Sequence, residues 1–290
     1  MSHIESHVVP PQEKAIRLSD YVVGIFTAIS SRQGMKKAIK KGWVRVNGEV
    51  ASTARLLTGG EQIELQRVVT KPVKTLAMPL AVLYEDEYLA VIHKPAGMEV
   101  SGNRHRTIAN ALAFNLKKST LPDALTQPHP AHRLDYPTSG VLLIGKTHTT
   151  LTALNQLFER KEIEKTYYAV TIGMMKPKGS INQAIDDKLA FTAFEVLDSM
   201  TSVKYTQLNL VKLLPKTGRR HQLRIHLATM GNPILGDKIY GQEGLIQHGN
   251  GLYLHAVSLT FTHPITHTRV VVKASLPKKF QKLFPKRAHL

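Results

Sequence analysis

Apolar residues recur along this chain with two different periods, and the changes of period mark out its elements. Between Ser31 and Lys41, Met35, Ala38 and Ile39 share one face of a 3.6-residue helix, while Arg32, Lys36, Lys37, Lys40 and Lys41 crowd the other. Val44 and Val46 then alternate with Arg45, and Asn47-Gly48 supplies a two-residue hairpin turn. Further on, Leu89 to Ile92 reads as a buried strand stopped by Lys94-Pro95-Ala96-Gly97. Thr107 to Leu116 is an amphipathic helix with Ile108, Ala111, Leu112 and Leu116 on one side, and Leu151, Leu154, Leu157 and Phe158 mark another. Tyr167 to Ile172 and Tyr205 to Leu214 read as strands, and Tyr253, His255, Val257, Leu259 and Phe261 alternate through a late one. Between them Leu223, Leu227 and Met230 line one side of a helix that Gly231 ends. The irregular alternation predicts an α+β fold and not a βαβ repeat.

These elements fall into parts. Residues 1–15 are polar, carry the breaker pair Pro10-Pro11 and hold no apolar run, so they are expected to be a tail and not a signal peptide. A small helix-and-hairpin domain follows at 16–66. Residues 67–80 show no sustained period and contain Pro72 and Pro79, which predicts an extended linker. The large domain is expected at 81–290. The longest apolar stretch near the start, Val22 to Ile29, is far shorter than the roughly 20 residues that span a bilayer, so no membrane association is expected.

Charge then changes the picture from an ordinary globular chain to one with a partner. Lysine and arginine number 39 against 21 acidic residues, a net charge of +18, which points to a polyanion, nucleic acid first. The absence of cysteine removes disulfides, thiol nucleophiles and thiolate metal sites, and fits a cytoplasmic enzyme. Nothing demands more than a monomer.

The candidate chemistry concentrates in residues 132–147. Gly140 to Thr147 spells the phosphate-loop pattern G-x-x-x-x-G-K-[ST], which would make the chain a nucleotide hydrolase. The four residues between the glycines, however, are Val141, Leu142, Leu143 and Ile144, a strand and not a flexible phosphate cradle. The better lead is Asp135, set by Pro137 and Gly140 on a tight loop just before that strand, where rigid scaffolds present reactive groups. A lone aspartate there also serves as a backbone cap. The 14 histidines give no metal site: His221 and His226 lie about 140° apart around a helix, and Pro128 and Pro130 keep His129 and His132 off one.

Two resemblances sharpen this. The run Ser-Arg…Ile-x-x-Gly-x-Val-x-Val-Asn-Gly from Ser31 to Gly48, with Gly60 to Leu65 as a last strand, resembles the small RNA-binding domain first seen in a ribosomal small-subunit protein, the S-four-like domain. Its basic residues Arg32, Lys36, Lys37, Lys40, Lys41 and Arg45 would then meet RNA. The His132-Arg133-Leu134-Asp135…Thr138-Ser139-Gly140 signature resembles the RluA family of RNA pseudouridine synthases. Lys94 to Gly97, Lys165-Thr166-Tyr167, Gly218 to His226, Ile234 to Asp237 through Tyr240-Gly241, Leu254-His255-Ala256 and His263-Pro264 follow in that family's order.

The resemblance implies a mixed, largely antiparallel sheet with flanking helices, and isomerisation of uridine to pseudouridine in RNA without cofactor or metal. It makes Asp135 the catalytic acid, acting as nucleophile or as base at the sugar, and Arg224 the partner that keeps it ionised. Tyr167 becomes the ring that stacks on the flipped uracil, and Arg133 the residue near the gap the base leaves. Arg219 and Arg220 add to the RNA-binding set; Arg220 departs from the small hydroxyl or lysine usual at its position. Ribosomal RNA is favoured over transfer RNA because family members with an extra N-terminal domain often act there. The alternative is a non-catalytic RNA-binding protein that keeps the fold.

Overall fold

The computed structural model describes residues 4–26, 29, 32–66 and 75–287, and the chain divides into two compact units, Met1–Val73 and Lys74–Leu290. Residues 67–74 of the expected linker, and Ser31 at the start of the expected basic helix, lie outside the described residues.

The smaller unit runs β1 (Ile4–Val8), β2 (Ile16–Arg17), α1 (Leu18–Tyr21), α2 (Arg32–Lys40), β3 (Val44–Val46), β4 (Glu49–Val50), β5 (Leu56–Leu57) and β6 (Gln62–Gln66). Four strands form a sheet in the order β1-β6-β3-β4, and β2 pairs with β5. Asn47 and Gly48 both take left-handed backbone, φ 51° and 80°, as the tight β3–β4 hairpin demands. Met35, Ala38 and Ile39 of α2 are buried with Val44, Val46, Ile63 and Leu65, so the apolar stripe read from the sequence is the unit's core face. The expected tail is corrected: β1 pairs antiparallel with β6, and Val9 beyond it is buried in the same core. A five-residue strand completing a sheet edge carries too little period of its own to be seen without its partner.

The larger unit runs β7 (Val82–Glu85), β8 (Leu89–Lys94), α3 (Ile108–Asn115), β9 (Ala124–Pro130), β10 (Ser139–Thr147), α4 (His148–Glu159), β11 (Glu164–Ile172), β12 (Lys178–Asn182), β13 (Phe191–Ser202), β14 (Thr206–Pro215), α5 (Gln222–Thr229), β15 (Leu254–Thr262), β16 (Arg269–Lys273) and α6 (Lys278–Leu283). Its ten-stranded sheet has the order β12-β13-β14-β11-β15-β10-β8-β7, with β16 on β15 and β9 on β10. Its strand ladders are antiparallel except β10 with β15, which is parallel and spans only Ser139↔His255 and Gly140↔Ala256. A Cβ on Gly140 would lie 2.1 Å from the Ala256 carbonyl oxygen, so only glycine lets the two strands meet. One core, with Leu89 to Ile92, Val141 to Ile144, Ile108 and Leu154, reaches across this junction to Ala256, Leu259 and Phe261 of β15; another holds Val170, Leu210, Leu213, Leu223 and Leu227.

All nine residues of β10 are buried, including the whole Gly140–Thr147 phosphate-loop pattern. Lys146, 2% exposed, donates to Glu85 Oε1 at 2.8 Å and to the Asp86 carbonyl. Gly145 is glycine because a Cβ would meet Leu151 of α4 at 2.9 Å. The motif is therefore structural. Lys146→Ala, which removes a buried donor from Glu85 while Lys117 N still donates to it at 2.8 Å, is expected to destabilise the unit by about 2 kcal/mol in urea unfolding and to alter no nucleotide affinity. An unchanged urea midpoint would contradict this.

Candidate active site

The loop between β9 and β10 carries Asp135, and a buried lysine holds it in place. Lys94, fully buried at the end of β8, donates from Nζ to the carbonyls of Pro95 (3.0 Å), Tyr136 (3.3 Å) and Thr138 (2.7 Å). Burial pulls this ammonium down to about 8, and the Asp135 carboxylate nearby opposes the shift. Gly97 N donates to the Tyr136 carbonyl at 2.8 Å, and Thr138 N closes the turn on the Asp135 carbonyl at 3.0 Å. At the loop's other end, His132 Nε2 accepts from Leu143 N at 3.0 Å, and burial pulls that imidazole down to about 4. A neutral ring is what that acceptor role needs. The Asp135 side chain itself stays 19% exposed.

The opposing wall is built at the start of α5. Buried Gln222 anchors the approach: its Oε1 accepts from Thr217 Oγ1 (2.7 Å) and Arg219 N (3.0 Å), and its Nε2 donates to Phe191 O and Thr192 Oγ1. Just before it, His221 takes left-handed backbone, φ 56° and ψ 19°, a conformation that costs an L side chain more than glycine. Two residues on, Arg224 is 3% exposed and clamps Asp237 with two bonds of 2.7 Å, from Nε to Oδ2 and from Nη2 to Oδ1. Its remaining nitrogen, Nη1, stands 3.7 Å from Asp135 Oδ2, and His221 Nε2 stands 3.7 Å from Asp135 Oδ1. The expected Arg224–Asp135 pairing is thus corrected in degree. The arginine is locked by Asp237 and only reaches toward Asp135, because a fork of three nitrogens serves two acids.

Between these walls opens a cleft of about 570 Å³. Arg133, Lys161, Lys165, Lys216, Arg219, Arg220 and Arg224 line it against only Asp135 and Glu159 as acids. Tyr167 of β11 lines it too; burial, with the Asp135 charge, pushes its phenol far above the ordinary range, so it stays protonated. Lys165 lies two residues earlier on that strand, and burial together with the charge of Lys216 pulls its ammonium down. Two crowded lysines and a buried Thr138 hydroxyl without a hydrogen-bond partner face the same space. Two carboxylates among seven cations make a pocket that suits a polyanionic substrate.

The family profile for RNA pseudouridylate synthase matches residues 88–229, which include the Asp135 loop, Tyr167 and Arg224. The ribosomal large subunit pseudouridine synthase C of Rickettsia bellii is 31% identical to this chain, over 93% of it and 97% of that protein. The chain belongs to the RluA family of RNA pseudouridine synthases. It is accordingly an isomerase acting on RNA. The tRNA pseudouridine synthase C of Vibrio vulnificus is 34% identical over 71% of this chain and 94% of that one. The solved structure of human RNA pseudouridylate synthase domain containing 4 aligns with a TM-score of 0.55 at 25% identity, covering 69% of this chain and 90% of that chain.

Of the residues that the RluA resemblance marked, Asp135, Arg133, Tyr167, Arg224, Arg219 and Arg220 all line the cleft. Arg133 is exposed and forms no ion pair among the described residues. In the smaller unit Arg32 is spoken for by an ion pair with Asp20, and Arg45 donates to the Gly48 carbonyl at 2.7 Å inside its own hairpin. Lys36, Lys37 and Lys40 remain exposed on one side of α2, and Lys41 Nζ sits 4.6 Å over the Trp43 ring. Sequence reading assigned no role to Lys94, His221, Asp237 or Tyr240, although each stands inside a quoted family motif. The signal was available for Asp237, since a buried-looking acid before a glycine turn needs a cation. Among the described residues no group of three or more histidines and acids is placed to hold a metal ion, and His226 is instead bonded to Thr192 Oγ1 and the Gln183 carbonyl. No helix among them is long and apolar enough to cross a membrane.

Proposed function

We propose that this synthase acts on structured RNA, ribosomal before transfer RNA, and that Asp135 is its catalytic acid on a flipped-out uridine. The observation that carries the reading is one partly exposed carboxylate facing the cleft, flanked by Arg224 and His221 at 3.7 Å and surrounded by cations. A cationic rim draws phosphates, and the enclosed volume receives a base taken out of its stack. Asp135 then acts at the ribose, as nucleophile or as base, while the N1–C1′ bond breaks. The uracil turns, C5 bonds to C1′, the C5 hydrogen leaves to solvent and N1 takes a proton. Protonated Tyr167 stacks on the uracil from the β11 side, and Arg133 on the rim occupies the gap left in the RNA.

Coverage supports the ribosomal preference. The Rickettsia ribosomal synthase matches across nearly the whole chain, whereas the Vibrio tRNA synthase matches a share close to that of the larger unit alone. The smaller unit, with Lys36, Lys37 and Lys40 on one helix side, is then an S-four-like RNA-binding module. Release of tritium from C5-labelled uridine in transcripts of large-subunit ribosomal RNA and of transfer RNA tests the function. Release from the ribosomal transcripts is expected; release from transfer RNA alone overturns the preference, and none from either overturns the activity. Deleting residues 1–66 is expected to weaken RNA binding and flatten the slope of log K against log salt by roughly two to three, since each lost phosphate contact removes about 0.7–0.9. An unchanged slope would argue against the module's role.

A further inference from the structure

Behind the carboxylate lies a second structure that the proposed chemistry does not use. His221 turns its ring so that Nδ1 meets the Tyr240 hydroxyl at 3.0 Å while Nε2 faces Asp135 Oδ1 at 3.7 Å. The two rings stand edge-on, 5.6 Å apart at 77°, and the Arg224 guanidinium lies 5.1 Å over the other contact surface of Tyr240. Tyr240 is fixed in turn, because its backbone N–H and that of Ile239 both donate to Asp237 Oδ1, at 3.1 and 3.0 Å. Gly241 follows without room for a side chain, since a Cβ there would lie 2.2 Å from the Asp237 carbonyl oxygen. The contacts close on themselves: Asp237 holds Arg224 and Tyr240, Tyr240 holds His221, and His221 and Arg224 flank the two oxygens of Asp135.

We propose that His221, braced by the Tyr240 hydroxyl, is a positioning residue that fixes the orientation of the Asp135 carboxylate. The left-handed backbone at His221 is the independent sign. Glycine or asparagine takes that conformation at lower cost, and the His221 side chain makes no capping bond for α5, its ring being turned to Tyr240 and Asp135 instead. The charged and titratable groups that face the ring are Asp135 from the β9–β10 loop, Arg220 from its own loop, Arg224 from α5, and Asp237 and Tyr240 from the turn beyond it. Burial, the largest influence among them, lowers the imidazole below its ordinary value and keeps it neutral. The proposal assigns the ring's single proton to Nε2, aimed at Asp135, with Nδ1 accepting the Tyr240 O–H. The 3.7 Å separation is longer than a hydrogen bond, and contacts of this kind tighten when substrate enters.

This inference rests on Asp135 being the acid that acts, so the test carries Asp135→Asn alongside. Steady-state tritium release is measured for His221→Phe, His221→Gln and Tyr240→Phe with thermal melting of each. His221→Phe keeps a ring but loses the N–H, and kcat is expected to fall about tenfold or more with KM within about twofold. His221→Gln, whose amide N–H restores a donor, is expected to recover to within about threefold of wild type, and Tyr240→Phe to lose about threefold to fivefold, again in kcat. Full kcat in His221→Phe, a loss confined to KM, or a glutamine variant as impaired as the phenylalanine one would overturn the proposal. Should His221→Phe not fold, Tyr240→Phe decides: wild-type kcat there overturns it. Retained turnover in Asp135→Asn would instead strike at the proposed chemistry itself.

Discussion

Asp135→Asn is expected to lower tritium release on the order of 10³-fold while RNA affinity stays within about twofold of wild type. Asparagine has the shape of aspartate but neither its charge nor its nucleophilic or basic oxygen. The substitution breaks no close hydrogen bond of the carboxylate, since both flanking nitrogens stand at 3.7 Å. It leaves the backbone turn from Thr138 N to the residue 135 carbonyl intact. Removing one negative charge from a cleft of seven lysines and arginines costs no phosphate contact. Filter binding and single-turnover release on the same transcript separate the two quantities. Release near the wild-type rate would show that another group performs the chemistry, and a matching loss of affinity would show that Asp135 only holds the loop.

Asp237→Ala is expected to destabilise the larger unit by about 4 kcal/mol, because removing one partner of a buried pair leaves an uncompensated charge. The Asp237 side chain is fully buried and accepts from four donors: Arg224 Nε and Nη2, Ile239 N and Tyr240 N. Burial alone would raise this carboxyl, yet those donors hold it below its ordinary value. In the variant the Arg224 cation keeps Asp135 as its sole acid and closes on it, so the two effects combine. Melting is expected to drop by roughly 10 °C, and turnover measured well below that temperature by about 10²-fold if Asp135 acts as proposed, since its carboxylate is then misplaced. A loss of under about 1 kcal/mol with normal turnover would show that Asp135 alone satisfies Arg224.

Much of the framework was legible because it is written locally. Val141 to Ile144 announce a strand whatever motif overlaps them, and β10 is buried throughout. Ile108, Ala111 and Leu112 recur at helical spacing and sit in the core, and Asn47-Gly48 names its turn by the left-handed backbone it adopts. What escaped was decided at long range. β1 is a strand only because β6 offers it an edge. Arg224 was assigned to the acid whose motif it accompanies, when the tighter partner, Asp237, stands on a turn that the helix itself brings into reach. His221 read as one more histidine of a motif, since no periodicity reports a left-handed φ. Pairing escaped for a related reason: a charge run shows which cations are present and not which partners they meet, as with Arg32 on Asp20 and Arg45 on the Gly48 carbonyl.

The parallel junction of β10 with β15 has a consequence for how activity arises during folding. Its ladder joins the strand that ends the Asp135 loop to β15, the neighbour of β11, through two residue pairs, and the core around Val141 to Ile144 continues across it to Ala256, Leu259 and Phe261. A chain in which one core has condensed holds an acid without its cations, or the cations without their acid. On the proposed function, turnover is expected only once both cores have formed, and refolding followed in parallel by fluorescence and tritium release would check it.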